Sequence, residues 1–271
     1  MASKLDSIKC GNHELKFDKT LIMGILNVTP DSFSDGNLFF SPDKAVEHAK
    51  QMAKEGADII DIGGESSRPG SDPVSEEEEL RRVSLIIKKL AKETNVPISI
   101  DTYKPKVAEE CIKLGASIIN DINGLRDKKI IEVAAKYKAP VIIMHMKGNP
   151  KTMQENPVYK DVMREIKEFF SQQIEKARKS GIKDIIIDPG IGFGKTTEHN
   201  LKILKNLNEF KELKCPILVG PSRKSFMGNI TGLPVNERLE GTLAAISIAI
   251  MNGANIVRVH DVKECKRAVM V

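Results

Sequence analysis

The 271 residues exceed the usual single-domain length of about 150 but stay near the range α/β barrels span as one unit, and 41% apolar content is ample for a core. The net charge of +5 comes from Lys residues scattered through helix-like stretches without interleaved aromatics, which argues against a nucleic-acid patch while leaving a field that would steer an anionic substrate. Cys10, Cys111, Cys215 and Cys265 lie far apart with no CxxC pair, residues 1–18 hold no apolar signal core, and no run reaches the ~18 apolar residues of a membrane span; a disulfide framework, a zinc site and a membrane protein are thereby set aside, and reduced thiols in a soluble, cytoplasmic chain are expected.

Residues 5–19 read as a short β-hairpin turning at Gly11-Asn12, a candidate lid over one end of the main fold. From there short apolar runs alternate with helix-like stretches. LIMGILN ends at Asn27, and a long loop, NVTPDSFSDGNLFFSPD, leads to a helix at 43–55. DIIDIGG holds Asp61; the loop GGESSRPGSDPVS then leads to a helix at 76–94, with Ser75 as its N-cap and EEEE suited to the positive end of its dipole. PISID ends at Asp101 before a helix at 104–114, and SIIND ends at Asn120 and Asp121 before one at 128–138. PVIIMHM holds His145 and precedes 160–180; DIIIDPG holds Asp188 and precedes 197–213. PILVGPSRK carries Ser222, Arg223 and Lys224 before a helix at 236–252, and NIVRVH carries Arg258 and His260 before 262–270. Gly56, Gly115, Gly181 and Gly253 fall just past four of these helices, where a left-handed cap belongs.

Eight strands, each followed by a helix, imply parallel pairing and right-handed crossovers. Neither GxGxxG nor GxxxxGKS follows a strand, and Gly190, Gly192 and Gly194 have the wrong spacing for either. The expectation is an α/β protein: a single (β/α)8 TIM barrel with a short N-terminal β-hairpin, one domain over residues 1–271. In such a barrel the C-terminal strand ends converge on the face that carries the active site. The loops after strands one and two are longer than scaffolding requires and rich in Gly, Pro and hydroxyl residues, a mix suited to closing over a ligand.

Asp101, Asn120 and Asp188 match a heterocycle that presents an N–H beside an amino group. Any one of them is equally well explained as a helix cap; all three together point to a ligand. Arg258 and His260 are two apart on one strand face and suggest an anion site. Arg68 and the run Ser222-Arg223-Lys224-Ser225 add charge and hydroxyls, the latter at the top of strand seven where barrels commonly hold phosphate. No HExxH or His/Cys cluster occurs, but Asn27 offers one hard oxygen to Mg2+, an ion that fills its shell with water and phosphate.

The segments MGILNVTPDSFSDG, DIGGESSRPGS, SIDTYKPKVA, IINDINGL, IIIDPGIGFGK, LVGPSRKSF and VRVHDV resemble, in order and across nearly the whole chain, the dihydropteroate synthases of folate biosynthesis. The resemblance implies a homodimeric barrel that condenses (7,8-dihydropterin-6-yl)methyl diphosphate with 4-aminobenzoate, giving dihydropteroate and diphosphate. It implies that Asp101, Asn120, Asp188 and Lys224 hold the pterin. Asn27 meets Mg2+ on the diphosphate, and Arg258 and His260 take phosphate oxygens. Asp35 in the first loop and Ser67 and Arg68 in the second close the site, with Asp35, Arg68 and Lys224 in catalytic parts, while Phe193 and Ser225 lie near the aminobenzoate. Asp61 and His145 have no such part and are expected to be supporting or structural. Position 67 is Ser where the family more often has Thr, which bears on packing and on the response to sulfonamide-type mimics. Three rivals remain: a methyltetrahydrofolate-dependent methyltransferase domain, a non-catalytic pterin-binding module, and a Schiff-base aldolase using Lys224.

Overall fold

The computed structural model describes residues 7–29, 41–66 and 70–271. Two short strands, β1 (Ser7–Cys10) and β2 (His13–Lys16), form an antiparallel hairpin in which Gly11 takes the left-handed turn conformation at φ 59°. The barrel is built from β3 (Leu21–Asn27), α1 (Pro42–Glu55), β4 (Ile59–Gly63), α2 (Glu76–Glu93), β5 (Ile98–Asp101), α3 (Pro105–Leu114), β6 (Ile118–Asp121) and α4 (Lys128–Tyr137). It continues with β7 (Val141–Met144), α5 (Val162–Lys179), β8 (Ile185–Asp188), α6 (Thr197–Lys205), β9 (Leu218–Val219), α7 (Ser225–Thr231), α8 (Leu239–Met251), β10 (Ile256–Val259) and α9 (Val262–Val269). The eight barrel strands run parallel in the order β8-β7-β6-β5-β4-β3-β10-β9. A single parallel bridge, Ile187 to Ile217, closes the ring between its two ends.

The expected (β/α)8 barrel is therefore the architecture, and three local features depart from the expected elements. The helix expected over 197–213 ends at Lys205 and resumes as a 3-10 turn at Leu207–Leu213. Asn206 lies between, its side-chain amide bonded to the Lys202 carbonyl at 2.7 Å, a competition with the helix ladder typical of Asn. The last long helix starts at Leu239, after a 3-10 turn at Val235–Glu237. The run after strand seven is more than a basic turn, because α7 begins at Ser225 with Lys224 extended at its N-cap.

Alternation along the strands sorts side chains between two cores. Ile60, Ile62, Ile100, Ile119, Ile143, Ile187 and Val257 face outward and pack under the helices. Leu21, Met23, Ile59, Ile118, Ile142, Ile186, Leu218 and Ile256 face inward and fill the N-terminal half of the barrel. Ile8, Cys10 and Leu15 of the hairpin join that inner cluster, so the hairpin plugs the barrel at the N-terminal end of its strands. The four cysteines are buried and free; burial pushes Cys10 and Cys265 up to about 12 and Cys215 up to about 11. Among the described residues no helix is long and apolar enough to cross a membrane.

Leu15 is 4% exposed beneath the inner cluster. Leu15→Ala should cost about 2–4 kcal/mol in urea unfolding while leaving ligand affinity at the opposite end of the barrel intact. Equal losses in stability and affinity would show that the plug also shapes the site.

Candidate active site

The same alternation turns polar toward the C-terminal ends. The residues two positions beyond inward apolar side chains are Asp61 after Ile59, Asn120 after Ile118, Asp188 after Ile186 and Arg258 after Ile256, and these are joined by Asp101 on β5 and Asn27 on β3. Parallel register sets Asp101 level with Gly63 on one side and Asn120 on the other. Asn120 and Asp188 are buried, at 4% and 6% exposed, while Asn27, Asp101 and Arg258 keep partial access to solvent.

Arg258 bridges across the top. Its Nε donates to Asp61 Oδ2 at 2.6 Å and its Nη2 to Asp101 Oδ2 at 2.6 Å. Asp61 Oδ2 also accepts Asn120 Nδ2 at 3.1 Å. Asp61 thus stands inside the site, holding two of its members, in keeping with the supporting place expected of it. Burial pushes Asp101 up to about 7, with Arg258 pulling it down and Asp61 adding to the rise. Burial also raises Asp188, which Gly190 N–H partly offsets through a 2.7 Å bond to Oδ1. Lys224 is pushed down to about 8, first by burial and then by Arg258. Its Nζ lies 4.0 Å from the centroid of the Phe193 ring, a cation–π contact.

His260 sits beside Ser222, whose Oγ accepts the His260 backbone N–H at 3.3 Å and lies 3.0 Å from Nδ1. When the hydroxyl donates to Nδ1 the imidazole proton sits on Nε2, the tautomer that would offer an N–H to an anion. Burial and the nearby Arg258 push His260 down to about 4, so it is neutral at pH 7. Arg223 occupies a left-handed conformation at φ 56°. Its guanidinium is held by both oxygens of Asp261, its N–H by Thr242 Oγ1 at 3.0 Å and its carbonyl by Arg238 at 3.2 Å, and this pinned turn delivers Lys224 to the site. Ser225 comes next, exposed at the start of α7.

The loop after β8 has a role the glycine spacing alone did not disclose. Gly190 and Gly192 have φ of 67° and 82°, and a Cβ on Gly190 would stand 2.0 Å from the His145 carbonyl oxygen. Lys195, 3% exposed, fixes this loop: Nζ donates to the Phe193 carbonyl at 2.9 Å and the His145 carbonyl at 3.2 Å, and meets His145 Nδ1 at 3.1 Å. Burial and the charges of Lys195 and Arg126 push His145 down to about 2, so its ring is neutral. His145 is therefore a support for the Phe193 loop. Asp121 points outward, where its carboxylate accepts the N–H groups of Asn123 and Leu125, both at 2.7 Å, and shapes the turn after β6.

The described ends of the loop after β4 are clasped together. Lys104 Nζ reaches Glu65 Oε2 and Glu79 Oε2, each at 2.6 Å, and the Val74 carbonyl at 2.8 Å, while Tyr103 OH meets Glu65 Oε1 at 2.9 Å. Gly70 N–H then bonds Pro150 O at 3.2 Å in the loop after β7, which in turn reaches the β8 loop through Tyr159 OH to Gly194 O at 2.8 Å. Asp35, Ser67 and Arg68 lie outside the described residues. For a metal, Asn27 presents one neutral oxygen at the top of β3, and among the described residues no three His, Cys, Asp or Glu side chains cluster to hold one. That donor set fits Mg2+ shared with phosphate and water and does not fit a resident zinc site.

Residues 23–260 match the family of pterin binding enzymes. The dihydropteroate synthase of Clostridium beijerinckii is 52% identical over 266 residues, 96% of each chain. Among solved structures, that of Yersinia pestis dihydropteroate synthase with a sulfonamide drug superposes with a TM-score of 0.93 at 45% identity, covering 97% of both chains. The Xanthomonas albilineans dihydropteroate synthase with 4-aminobenzoic acid gives a TM-score of 0.92 at 41% identity, covering 98% of this chain and 96% of that one.

Burial pushes Lys195 down to about 7 from 10.5. Between those values the unfolded chain binds more protons than the folded one, so this group makes stability rise with pH across that window. Urea unfolding of wild type and Lys195→Met at pH 7.5 and 9.5 should show the wild type gaining on the variant as pH rises. A constant difference would mean that Lys195 stays charged in its pocket.

Proposed function

We propose that this chain, which belongs to the pterin binding enzyme family and within it to the dihydropteroate synthases, joins (7,8-dihydropterin-6-yl)methyl diphosphate to 4-aminobenzoate, giving 7,8-dihydropteroate and diphosphate for folate biosynthesis. The observation that carries this reading is the division of the barrel top into two chemically distinct sets. Asp101, Asn120, Asp188 and Lys224 suit a flat heterocycle bearing N–H donors and ring acceptors, with Phe193 held beside Lys224. Arg258, His260 and Ser222 suit a polyanion.

In this reading the carboxylates of Asp101 and Asp188 and the carboxamide of Asn120 orient the pterin, and Lys224 donates to it. Arg258 and the Nε2–H of His260 take phosphate oxygens. Asn27 would hold Mg2+, which when bound neutralises phosphate charge. The bond between the methylene carbon and the bridging oxygen breaks, and its electron pair leaves with the diphosphate. The amine of 4-aminobenzoate then donates its lone pair to that carbon and loses a proton. Preorganised cations favour the departure because they meet charge as it develops. Cation character at the methylene calls for a nearby carboxylate, the part given to Asp35, while Ser67 and Arg68 complete the aminobenzoate side with Phe193 and Ser225. No group in the described site is set up as a strong base for the amine, in keeping with a dissociative path.

The reading extends to one domain over the chain, a cytoplasmic setting suited to four unpaired thiols, and a homodimer. The dimer face is assigned to α7, α8 and the segment between them, where Ile230, Leu233, Val235, Ile248 and Met251 are 39% to 86% exposed. Light scattering of the Ile248→Asp/Met251→Asp double variant should give a monomer; a dimer of undiminished stability would move the interface elsewhere.

Incubation with the pterin diphosphate, Mg2+ and 4-aminobenzoate should yield dihydropteroate by mass detection, with a sulfonamide competing against the aminobenzoate. Methyl transfer from methyltetrahydrofolate, or pterin binding without turnover, would favour the rival readings. Asp101→Asn should weaken pterin affinity by at least roughly tenfold, the loss of a charged acceptor. Arg258→Ala should weaken the diphosphate substrate far more than free pterin, and equal losses would count against its assignment.

A further inference from the structure

The two sets of site residues meet on one oxygen atom. Asp61 is fully buried on β4, and its Oδ2 accepts both Arg258 Nε at 2.6 Å and Asn120 Nδ2 at 3.1 Å. Its other oxygen has no hydrogen-bond partner among the described residues, so both donors load the same atom. Arg258 extends the chain to Asp101 through Nη2. Asn120, Asp61, Arg258 and Asp101 are thus linked in series, and the series begins and ends on residues assigned to the heterocycle while passing through the residue assigned to phosphate.

We propose that Asp61 is a positioning residue that couples the heterocycle and phosphate subsites, with the Arg258–Asp101 contact as the exchangeable link. The inference rests on the ligand classes assigned above. A heterocycle that donates N–H groups to Asp101 competes with Arg258 Nη2 for the carboxylate. A phosphate beside Arg258 supplies a replacement anion and frees Asp101, so filling one subsite readies the other. Throughout the exchange the guanidinium must keep one carboxylate, since a buried charge without a partner is costly. Asp61 serves that purpose because it is fully buried and already hydrogen-bonded to both Arg258 and Asn120. Without its charge Arg258 would be left with Asp101 alone, and Asn120 would lose the acceptor that fixes its amide.

Calorimetric titration of wild type and Asp61→Asn with 6-hydroxymethylpterin and with inorganic diphosphate, each alone and in the presence of the other with Mg2+, tests this. In wild type each ligand should tighten the other severalfold. In Asp61→Asn both dissociation constants should rise by roughly tenfold, as for a lost charged hydrogen-bond partner, and the mutual enhancement should vanish while the circular dichroism spectrum is unchanged. Affinity unchanged for either ligand overturns the proposal. Should Asp61→Asn fail to fold, the wild-type titrations decide, since independent binding of the two ligands overturns it equally. Wild type that binds neither ligand would remove the functional reading and this inference with it; wild type that binds both, beside an unaltered Asp61→Asn, removes the inference alone.

Discussion

A guanidinium held inside a barrel of hydrocarbon walls needs counter-charge within hydrogen-bond reach, and most of the upper half of this molecule is arranged around that need. Arg258 is 15% exposed at its side chain and is met by Asp61 at 0% and Asp101 at 11%. Two carboxylates share one guanidinium, with Asn120 donating a further hydrogen bond to Asp61 and the charge of Lys224 acting on Asp101. Such a cluster is costly to build and contributes little net stability. Its value lies in holding donors and acceptors at fixed positions before a ligand arrives, which is where preorganised sites gain their advantage.

The apolar lower half makes that arrangement possible. Eight inward side chains and the hairpin residues Ile8, Cys10 and Leu15 fill the barrel below the charges. The loops above are tied to one another as well as to their strands. Lys104 clasps the described ends of the loop after β4, Gly70 joins it to the loop after β7, and Tyr159 joins that one to the loop carrying Phe193. A displacement in one loop therefore loads the next, and the Phe193 loop is set by a network shared with the loops after β4 and β7.

Backbone conformations that few residues adopt recur where the site needs them. Arg223 is left-handed and triply held, and it delivers Lys224. Gly190 and Gly192 are left-handed, Gly190 with no room for a Cβ against the His145 carbonyl and Gly192 close against the Lys224 side chain. Lys195 serves these turns from beneath, a buried amine among carbonyls.

Much was legible from the chain alone, because parallel strands buried on both faces read as apolar runs and their C-terminal residues must either cap or bind. Alternation with helices, C-cap glycines and missing phosphate fingerprints determined the barrel, and the strand-end pattern picked out Asn27, Asp101, Asn120, Asp188, Arg258 and His260. What the sequence could not supply was the pairing across the barrel. Asp61 and Arg258 are 197 residues apart and His145 and Lys195 are 50 apart, and only ring closure decides which inward side chains meet. Tertiary structure therefore decided that Asp61 is the hub of the site, that His145 and Lys195 brace the Phe193 loop, and that Asp121 points away. The physical reason is that side-chain period fixes the face a residue occupies, whereas shear and closure of the barrel fix its neighbours.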